Sequence, residues 1–152
     1  MIDSRQDTDG QDLIERVLTQ GRELHLAMSD GDYPYLVPLN YGYVPGRIYI
    51  HSGRQGKKLD CLRRDPRVCF AVNAVVERIG GEKACQWSTR FRSVTGYGVA
   101  RIIDEPEEKI HGYDVIMAQF GGPVGNYDEQ YLKESLMICI EIERLTGRQS
   151  SV

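Results

Sequence analysis

The sequence lacks the features that several large classes of protein require. Its 152 residues contain no apolar run close to the ~20 residues that cross a bilayer. A net charge of −3 at pH 7 leaves no excess of positive charge to neutralise phosphates. The first ten residues are polar and acidic, unlike a signal peptide or a transit sequence. We therefore expect a cytoplasmic protein that has neither a membrane nor nucleic acid as a partner.

Common metal and nucleotide motifs are also missing. None of the four cysteines belongs to a CxxC pair, and no histidine lies at ligand spacing from one, so we expect no metal site. The GxGxxG fingerprint of nicotinamide-binding enzymes is absent too. What remains is one globular domain, which we place at residues 11–148. A flexible tail is expected on each side, at 1–10 and 149–152.

Alternating apolar residues predict a chain made mostly of antiparallel strands. Strands are expected at 23–29, 33–43, 47–52 and 67–76, as one long bent ribbon or two strands within 84–104, and at 136–145. Pro34 and Pro38 lack ladder donors, which suggests that the second strand lies at an edge or an opening. The pattern favours a barrel or a sandwich over a doubly wound α/β sheet.

Helices are predicted between these strands. They are expected at 10–20, at 56–64, from 104 to about 120, and as a short turn after 126. Asp104 followed by Glu107 resembles a capping box for the third helix. Asn126 followed by Glu129 suggests a similar start for the fourth.

One corner concentrates residues that bind anions, in the stretch "IYIHSGRQGKKLDCLRRDPRVCF" (48–70). A strand ends near His51, a turn containing two glycines follows, and Lys57 and Lys58 open a helix. Unpaired amides, the helix dipole and two ammonium groups together predict an anion site, most naturally for a phosphate. Leu59 stands where a nucleotide P-loop needs Ser or Thr, so a phosphate monoester fits better than ATP. The same residues are also compatible with solvated lysines on a surface helix.

The position of His51 follows from strand alternation. Ile48 and Ile50 share one face, while Tyr49 and His51 share the other. If the isoleucines face the core, His51 projects outward beside the anion corner. It is then either a ligand donor or proton source near neutral pH, or an ordinary hydrogen-bonded surface histidine.

The stretch at 35–73, "YLVPLNYGYVPGRIYIHSGRQGKKLDCLRRDPRVCFAVN", resembles the core signature of a known superfamily. This is the FMN-binding split-barrel (pyridoxamine 5′-phosphate oxidase-like) superfamily, and more narrowly its nitroimidazole-resistance (Nim) branch. "RFRSVTGYGVARIIDE" at 90–105 and "CIEIERLTGR" at 139–148 are similar to later strands of that branch. The resemblance extends over about residues 11–148.

The resemblance implies a mainly β fold with peripheral helices, namely a six-stranded antiparallel Greek-key split barrel. It also implies a homodimer with two FMN sites at the subunit interface. The residues that it places against FMN are Val37, Pro38, Leu39, Asn40, His51, Ser52, Lys57, Lys58 and Ser93. Trp87 lies an even number of residues before Ser93 and shares its face if that strand is regular, so we expect Trp87 either to contact the flavin or to pack in the dimer interface.

The function implied by the resemblance is that of an FMN-dependent oxidoreductase. The expected substrates are nitroaromatic compounds of the 5-nitroimidazole type or other small acceptors, with His51 supplying a proton or orienting the acceptor. We find no match to the arginine and the second basic strand residue of true pyridoxamine phosphate oxidases, so vitamin B6 oxidation is not expected. Two alternatives stay open. One is a flavin, haem or other cofactor-binding protein without turnover, and the other is a dimeric structural domain with an empty site.

Overall fold

A computed structural model describes residues 6–8 and 10–150 of the chain. The strands are β1 (Gln6–Thr8), β2 (Glu23–Ser29), β3 (Pro34–Asn40), β4 (Gly42–Val44), β5 (Arg47–Gly53), β6 (Arg67–Ile79), β7 (Ser88–Ile103) and β8 (Ser135–Gln149). The helices are α1 (Gln11–Gln20), α2 (Lys57–Arg64), α3 (Pro106–Phe120) and α4 (Glu129–Glu134), with a single 3₁₀ turn at Ala84–Gln86.

The strands form one antiparallel sheet that curls into a half-barrel, as the resemblance implies. Its order is β3-β2-β6-β7-β8-β5-β4, and β1 pairs with β8 outside this path. The six expected strands are β2, β3, β5, β6, β7 and β8. Two short strands, β1 and β4, are added to them. Because β3 ends the sheet, the prediction that its prolines lie on an edge strand is confirmed.

Contacts of nearby residues explain each of the two added strands. Gln6–Thr8 pairs with the end of β8, although a flexible tail was predicted there; the rest of that predicted tail, apart from Gly10, lies outside the described residues. The single strand predicted over 33–43 divides at Tyr41. The Tyr41 side chain is fully buried, and its hydroxyl donates to the Leu18 carbonyl at 2.6 Å. This hydrogen bond to α1 fixes Tyr41 at the point where the chain passes from β3 to β4.

The long ribbon expected within 84–104 is one strand, β7, that bends where its pairing with β8 slips by one residue. The irregularity falls between Tyr97 and Gly98. A Cβ on Gly98 would collide with the Glu141 carbonyl, and a Cβ on Gly96 would collide with the Phe70 ring. Glycine is therefore required at both positions for close packing.

Apolar residues form two cores, one on each face of the curled sheet. Ile48 and Ile50 are buried with Leu24, Leu26 and Phe70 in the larger core, which confirms the predicted inward face of β5. The opposite face is covered by α3.

Tyr49 therefore lies in a second core rather than in solvent. It packs there with Tyr113, Ile116, Met137 and Cys139, and its side chain is buried.

Both predicted helix caps are wrong by a small shift. The cap of α3 is Glu105, whose carboxylate accepts from the amides of Glu107 and Glu108 at 3.0 and 2.8 Å. The cap of α4 is Asp128, which accepts from the amides of the first turn at 2.8 and 3.2 Å. Asp104 is thus free of a capping role, and its carboxylate binds two cationic side chains instead.

Candidate functional site

The corner between β5 and α2 is open at the start of the helix. Gly56 caps α2 with φ 142°, a backbone conformation that residues with a side chain rarely adopt. No described side chain caps the first amides of α2. A Cβ built on Gly53 or Gly56 would meet no atom within 4 Å. These amides are therefore accessible to a ligand.

A groove of about 390 Å³ lies beside this corner. It is lined by Glu23, Pro38, Leu39, Asn40, Ile50, His51, Gly53 and Lys58. One wall comes from the β2–β3 edge and the other from the end of β5 with the first turn of α2. Its volume falls within the range that holds small ligands in proteins, roughly 300–1,000 Å³.

Five of the residues that the sequence predicted for the site meet in this groove. They are Pro38, Leu39, Asn40, His51 and Lys58. The first three lie at the end of an edge strand, where backbone groups on the outer side have no strand partner in the described part of the chain. The last two lie on the facing wall.

The two corner lysines point in different directions. Lys57 Nζ lies 3.4 Å from Asp30 Oδ2 and 4.6 Å from the centre of the Tyr35 ring, so it is bound to the β2–β3 hairpin. Lys58 lines the groove, is half-buried, and forms no ion pair with any residue that the structure describes. Lys58 is therefore the cation that a ligand in the groove meets directly.

Four other predicted residues lie away from the groove of this single chain. Val37 packs against the larger core, and Ser52 is buried. Ser93 lies on β7, between Asn73 and Arg148 of the flanking strands.

Trp87 precedes β7, at the tip of the β6–β7 hairpin. Its indole nitrogen donates to the Gly81 carbonyl at 2.9 Å, and the side chain is 57% exposed. The assumption that Trp87 and Ser93 belong to one regular strand is wrong.

Charge and partial burial set the protonation of the groove. The His51 side chain is exposed, as the alternation of β5 predicts, but desolvation by the groove around it, followed by the nearby Lys58 ammonium, lowers its pKa. Partial burial likewise lowers the pKa of Lys58. At pH 7 His51 is therefore mostly a neutral imidazole, able to donate one hydrogen bond and accept another.

Three lining residues were missed from the sequence: Glu23, Ile50 and Gly53. Glu23 could have been predicted, because the hairpin around Gly31 places it opposite Asn40.

Behind the groove, the ring of Tyr113 lies 6.1 Å from the His51 ring. Tyr113 is 4% exposed, and its hydroxyl is the only buried side-chain polar atom of the described residues without a hydrogen-bond partner.

No helix among the described residues is long and apolar enough to span a bilayer. Within the same part of the chain, no cluster of three or more His, Cys, Asp or Glu side chains is placed to hold a metal ion.

The curled antiparallel sheet and its open corner define a split-barrel protein with a small-ligand groove. The chain belongs to the pyridoxamine 5′-phosphate oxidase family, whose sequence profile matches residues 11–149.

Solved structures share this fold. A proposed 5-nitroimidazole antibiotic resistance protein from Bacteroides thetaiotaomicron is 25% identical, with a TM-score of 0.86, covering 97% of this chain and 88% of that one. An FAD- and haem-binding protein from Mycobacterium smegmatis is 17% identical, with a TM-score of 0.84, covering 96% and 74%. An FAD-binding protein from Mesorhizobium loti is 24% identical, with a TM-score of 0.69, covering 97% and 99%.

Proposed function

We propose that this protein binds FMN and reduces small acceptors, with nitroaromatic compounds of the 5-nitroimidazole type as the first substrates to test. One observation carries the proposal. A half-buried lysine without an acidic partner among the described residues, Lys58, faces a ligand-sized groove beside an uncapped helix start. The likeness to the Bacteroides protein supports the choice of acceptor.

The corner fits a phosphate monoester. The exposed amides of the first turn of α2 and the Lys58 ammonium present positive charge to the same space. Gly53 and Gly56 leave room for a phosphate to approach the backbone. The ribityl phosphate of FMN would bind here, with Lys57 adding charge from the hairpin side and Ser52 lying in the strand below.

The flavin ring would lie along the end of β3. Pro38, Leu39 and Asn40 line the wall of the groove opposite His51 and Lys58, and their outer backbone groups are available to the ring edge. Val37, one residue earlier, is partly buried and supports this wall from the core.

The remaining predicted contacts, Ser93 and Trp87, require a second copy of the chain in our proposal. The sites lie between the two subunits of a homodimer, and the exposed indole of Trp87 reaches the partner's groove or packs beside it. Exposed apolar side chains such as Leu36 (60%) and Val76 (68%) are available for such an interface.

When bound, the flavin supplies electron transfer to the acceptor. The residues of the chain orient the acceptor and protonate it. Lys58 favours negative charge on the bound cofactor, and His51 donates a proton to the reduced acceptor or orients it. An external reductant, such as NAD(P)H, delivers the electrons.

The test uses purified full-length protein reconstituted with FMN under anaerobic conditions. NAD(P)H should bleach the flavin absorbance, and a 5-nitroimidazole should restore it with loss of the nitro absorbance. Pyridoxine 5′-phosphate, offered to the oxidised flavin in place of NAD(P)H, should not bleach it. A bound flavin that neither bleaches nor recolours would reject the enzymatic proposal.

A second function is supported by the name of one structural neighbour, an FAD- and haem-binding protein. It is cofactor binding without turnover, as a carrier or a sensor. Titration with haem, followed by its Soret absorbance, separates this candidate from the first. Tight haem binding with no nitro-reduction would favour it.

A further inference from the structure

The loop between β5 and α2 is held by a cluster of three charges. Arg54 forms a two-point ion pair with Asp104 at the end of β7, with Nη1 3.0 Å from Oδ1 and Nη2 bonded to Oδ2. The same Nη1 donates to the carbonyls of Lys133 at 2.8 Å and Ser135 at 3.3 Å. A loop with open space around both of its glycines is thereby attached to three other elements.

Lys109 of α3 holds the cluster from below. It is 3% exposed, and its ammonium donates to Asp104 Oδ1 at 3.0 Å. It also donates to the carbonyls of Leu132 at 2.5 Å and Ser135 at 3.1 Å. All three protons of this buried cation therefore have acceptors, which is the condition for a buried charge to be tolerated.

The cluster differs from an ordinary surface ion pair. Asp104 is about half exposed, so a lone Arg54–Asp104 pair would add little to stability. Here the carboxylate is shared with a buried lysine whose position the fold fixes. Arg54, followed by Lys109, holds the pKa of Asp104 well below its usual range, so the cluster stays charged at every physiological pH.

The two cations near the groove, Arg54 and Lys58, differ in their partners. The charge of Arg54 is satisfied by Asp104 and by carbonyls on the far side of the loop. Lys58, four residues later, has no such partner among the described residues. Arg54 is thus placed to hold the backbone and Lys58 to meet the ligand.

We propose that Asp104 and Lys109 are positioning residues for the phosphate-binding corner. Through Arg54 they fix the loop at 53–56, so that the amides of the α2 start and the Lys58 ammonium are already in place when a phosphate binds. This inference rests on the proposed function, because the phosphate is that of FMN.

The test compares Asp104→Asn with Glu108→Gln. Glu108 forms another exposed ion pair of α3, with Arg101 at 2.9 Å, away from the groove, so it controls for loss of a surface carboxylate. FMN and riboflavin are titrated into each apo protein by flavin fluorescence. Asp104→Asn should weaken FMN about tenfold, the equivalent of one charge-assisted hydrogen bond, and riboflavin less than about twofold. Glu108→Gln should leave both affinities unchanged.

Hydrogen exchange of the apo proteins measures the loop without any ligand. Asp104→Asn should speed the exchange of the backbone amides at 60–62, where Asp60 N donates to the Gly56 carbonyl of the loop at 3.2 Å, and leave the exchange of the β6–β7 ladder unchanged. Arg54→Gln, which preserves the buried Asp104–Lys109 pair, should give the same two results and serves if the first variant folds poorly.

The outcomes separate the two proposals. Wild-type protein that binds FMN no better than riboflavin would reject the proposed function, while exchange at 60–62 still decides whether the cluster holds the loop. Equal losses of FMN and riboflavin affinity, or unchanged exchange at 60–62 in both variants, would overturn the positioning role.

Discussion

The β5–α2 corner and the tip of the β6–β7 hairpin both carry predicted flavin contacts, yet the fold treats them differently. At the corner, His51 and Lys58 meet residues of β3 in one groove within a single chain. At the tip, Trp87 is fixed by its own bond to Gly81, faces solvent and is not among the lining residues of that groove. The corner therefore forms a groove within one chain, and in our proposal the tip takes part in the flavin site only through a second chain.

Replacement of His51 should give the largest effect, on the chemical step. We expect His51→Gln to retain FMN and to lower the rate of nitro-reduction about 100-fold, the usual loss when a positioned proton donor is removed. Stopped-flow recolouring of the reduced flavin measures this rate. His111→Gln, a change outside the groove next to Tyr49, is the matched control and should be neutral.

The rate of nitro-reduction should increase as the pH falls. Desolvation by the groove and the Lys58 ammonium lower the pKa of His51 from 6.5, so the protonated donor is scarce at pH 7 and increases as the pH falls. The wild-type rate should therefore rise from pH 8 to below pH 6, while His51→Gln gives a flat profile. By the same sign, this histidine reduces folding stability as the pH falls below 6.5. Matching profiles for both proteins would remove His51 from the chemistry.

The two corner lysines provide the next contrast. Lys58→Ala should weaken FMN by about 10- to 100-fold, since a hydrogen bond to a charged group contributes roughly 1.5–3 kcal/mol. Lys57→Ala should have a smaller effect, less than about fivefold, because its ammonium is held by Asp30 and is largely solvated. The double replacement should combine both losses.

Calorimetry with FMN, and with riboflavin as the ligand lacking phosphate, distinguishes these variants. An unchanged FMN affinity in the double variant would place the phosphate elsewhere in the molecule.

Trp87→Ala examines the hairpin tip. Because this side chain is mostly exposed in one chain, its loss should change the free energy of unfolding of the chain by less than about 0.5 kcal/mol. We expect the dimer dissociation constant to rise about tenfold, as for a central aromatic anchor. Sedimentation velocity across a dilution series measures it. Val124→Ala, with a side chain 55% exposed on a distant loop, is the control, and an equal change in both variants would argue against the tip as an interface.

Tyr113→Phe should have the smallest effect, and it should be favourable. The change removes a buried hydroxyl without a hydrogen-bond partner and keeps the ring that packs near His51. We expect the free energy of unfolding to rise by about 1 kcal/mol with FMN affinity unchanged. Urea denaturation provides the value. Destabilisation instead would mean that the hydroxyl has a partner in solution.

The sequence predicted the strands well because the alternation of Ile48 and Ile50 with Tyr49 and His51 reports which face is buried. It failed where tertiary contacts decide. Asp104 resembles a helix cap in the sequence, but its carboxylate is bound by Lys109 in the first turns of α3 and by Arg54, which is 50 residues away in the chain. No local pattern contains that information.

The candidate site was predicted to a similar extent. The strand end, the glycines and the lysines identified the corner, since anion binding at a helix start depends on local sequence. The different directions of Lys57 and Lys58 could have been predicted from helical geometry, because successive side chains on a helix are rotated by about 100°. The placement of Trp87 could not be predicted from the sequence. The even spacing between Trp87 and Ser93 indicates a shared face only within one regular strand, and β7 begins at Ser88.

Titration of the apo protein with FMN and with riboflavin tests the central claim most directly. A phosphate bound at the start of α2 predicts saturable FMN binding, and an affinity at least about tenfold above that for riboflavin. Equal affinities for the two flavins, or no binding of either, would contradict it.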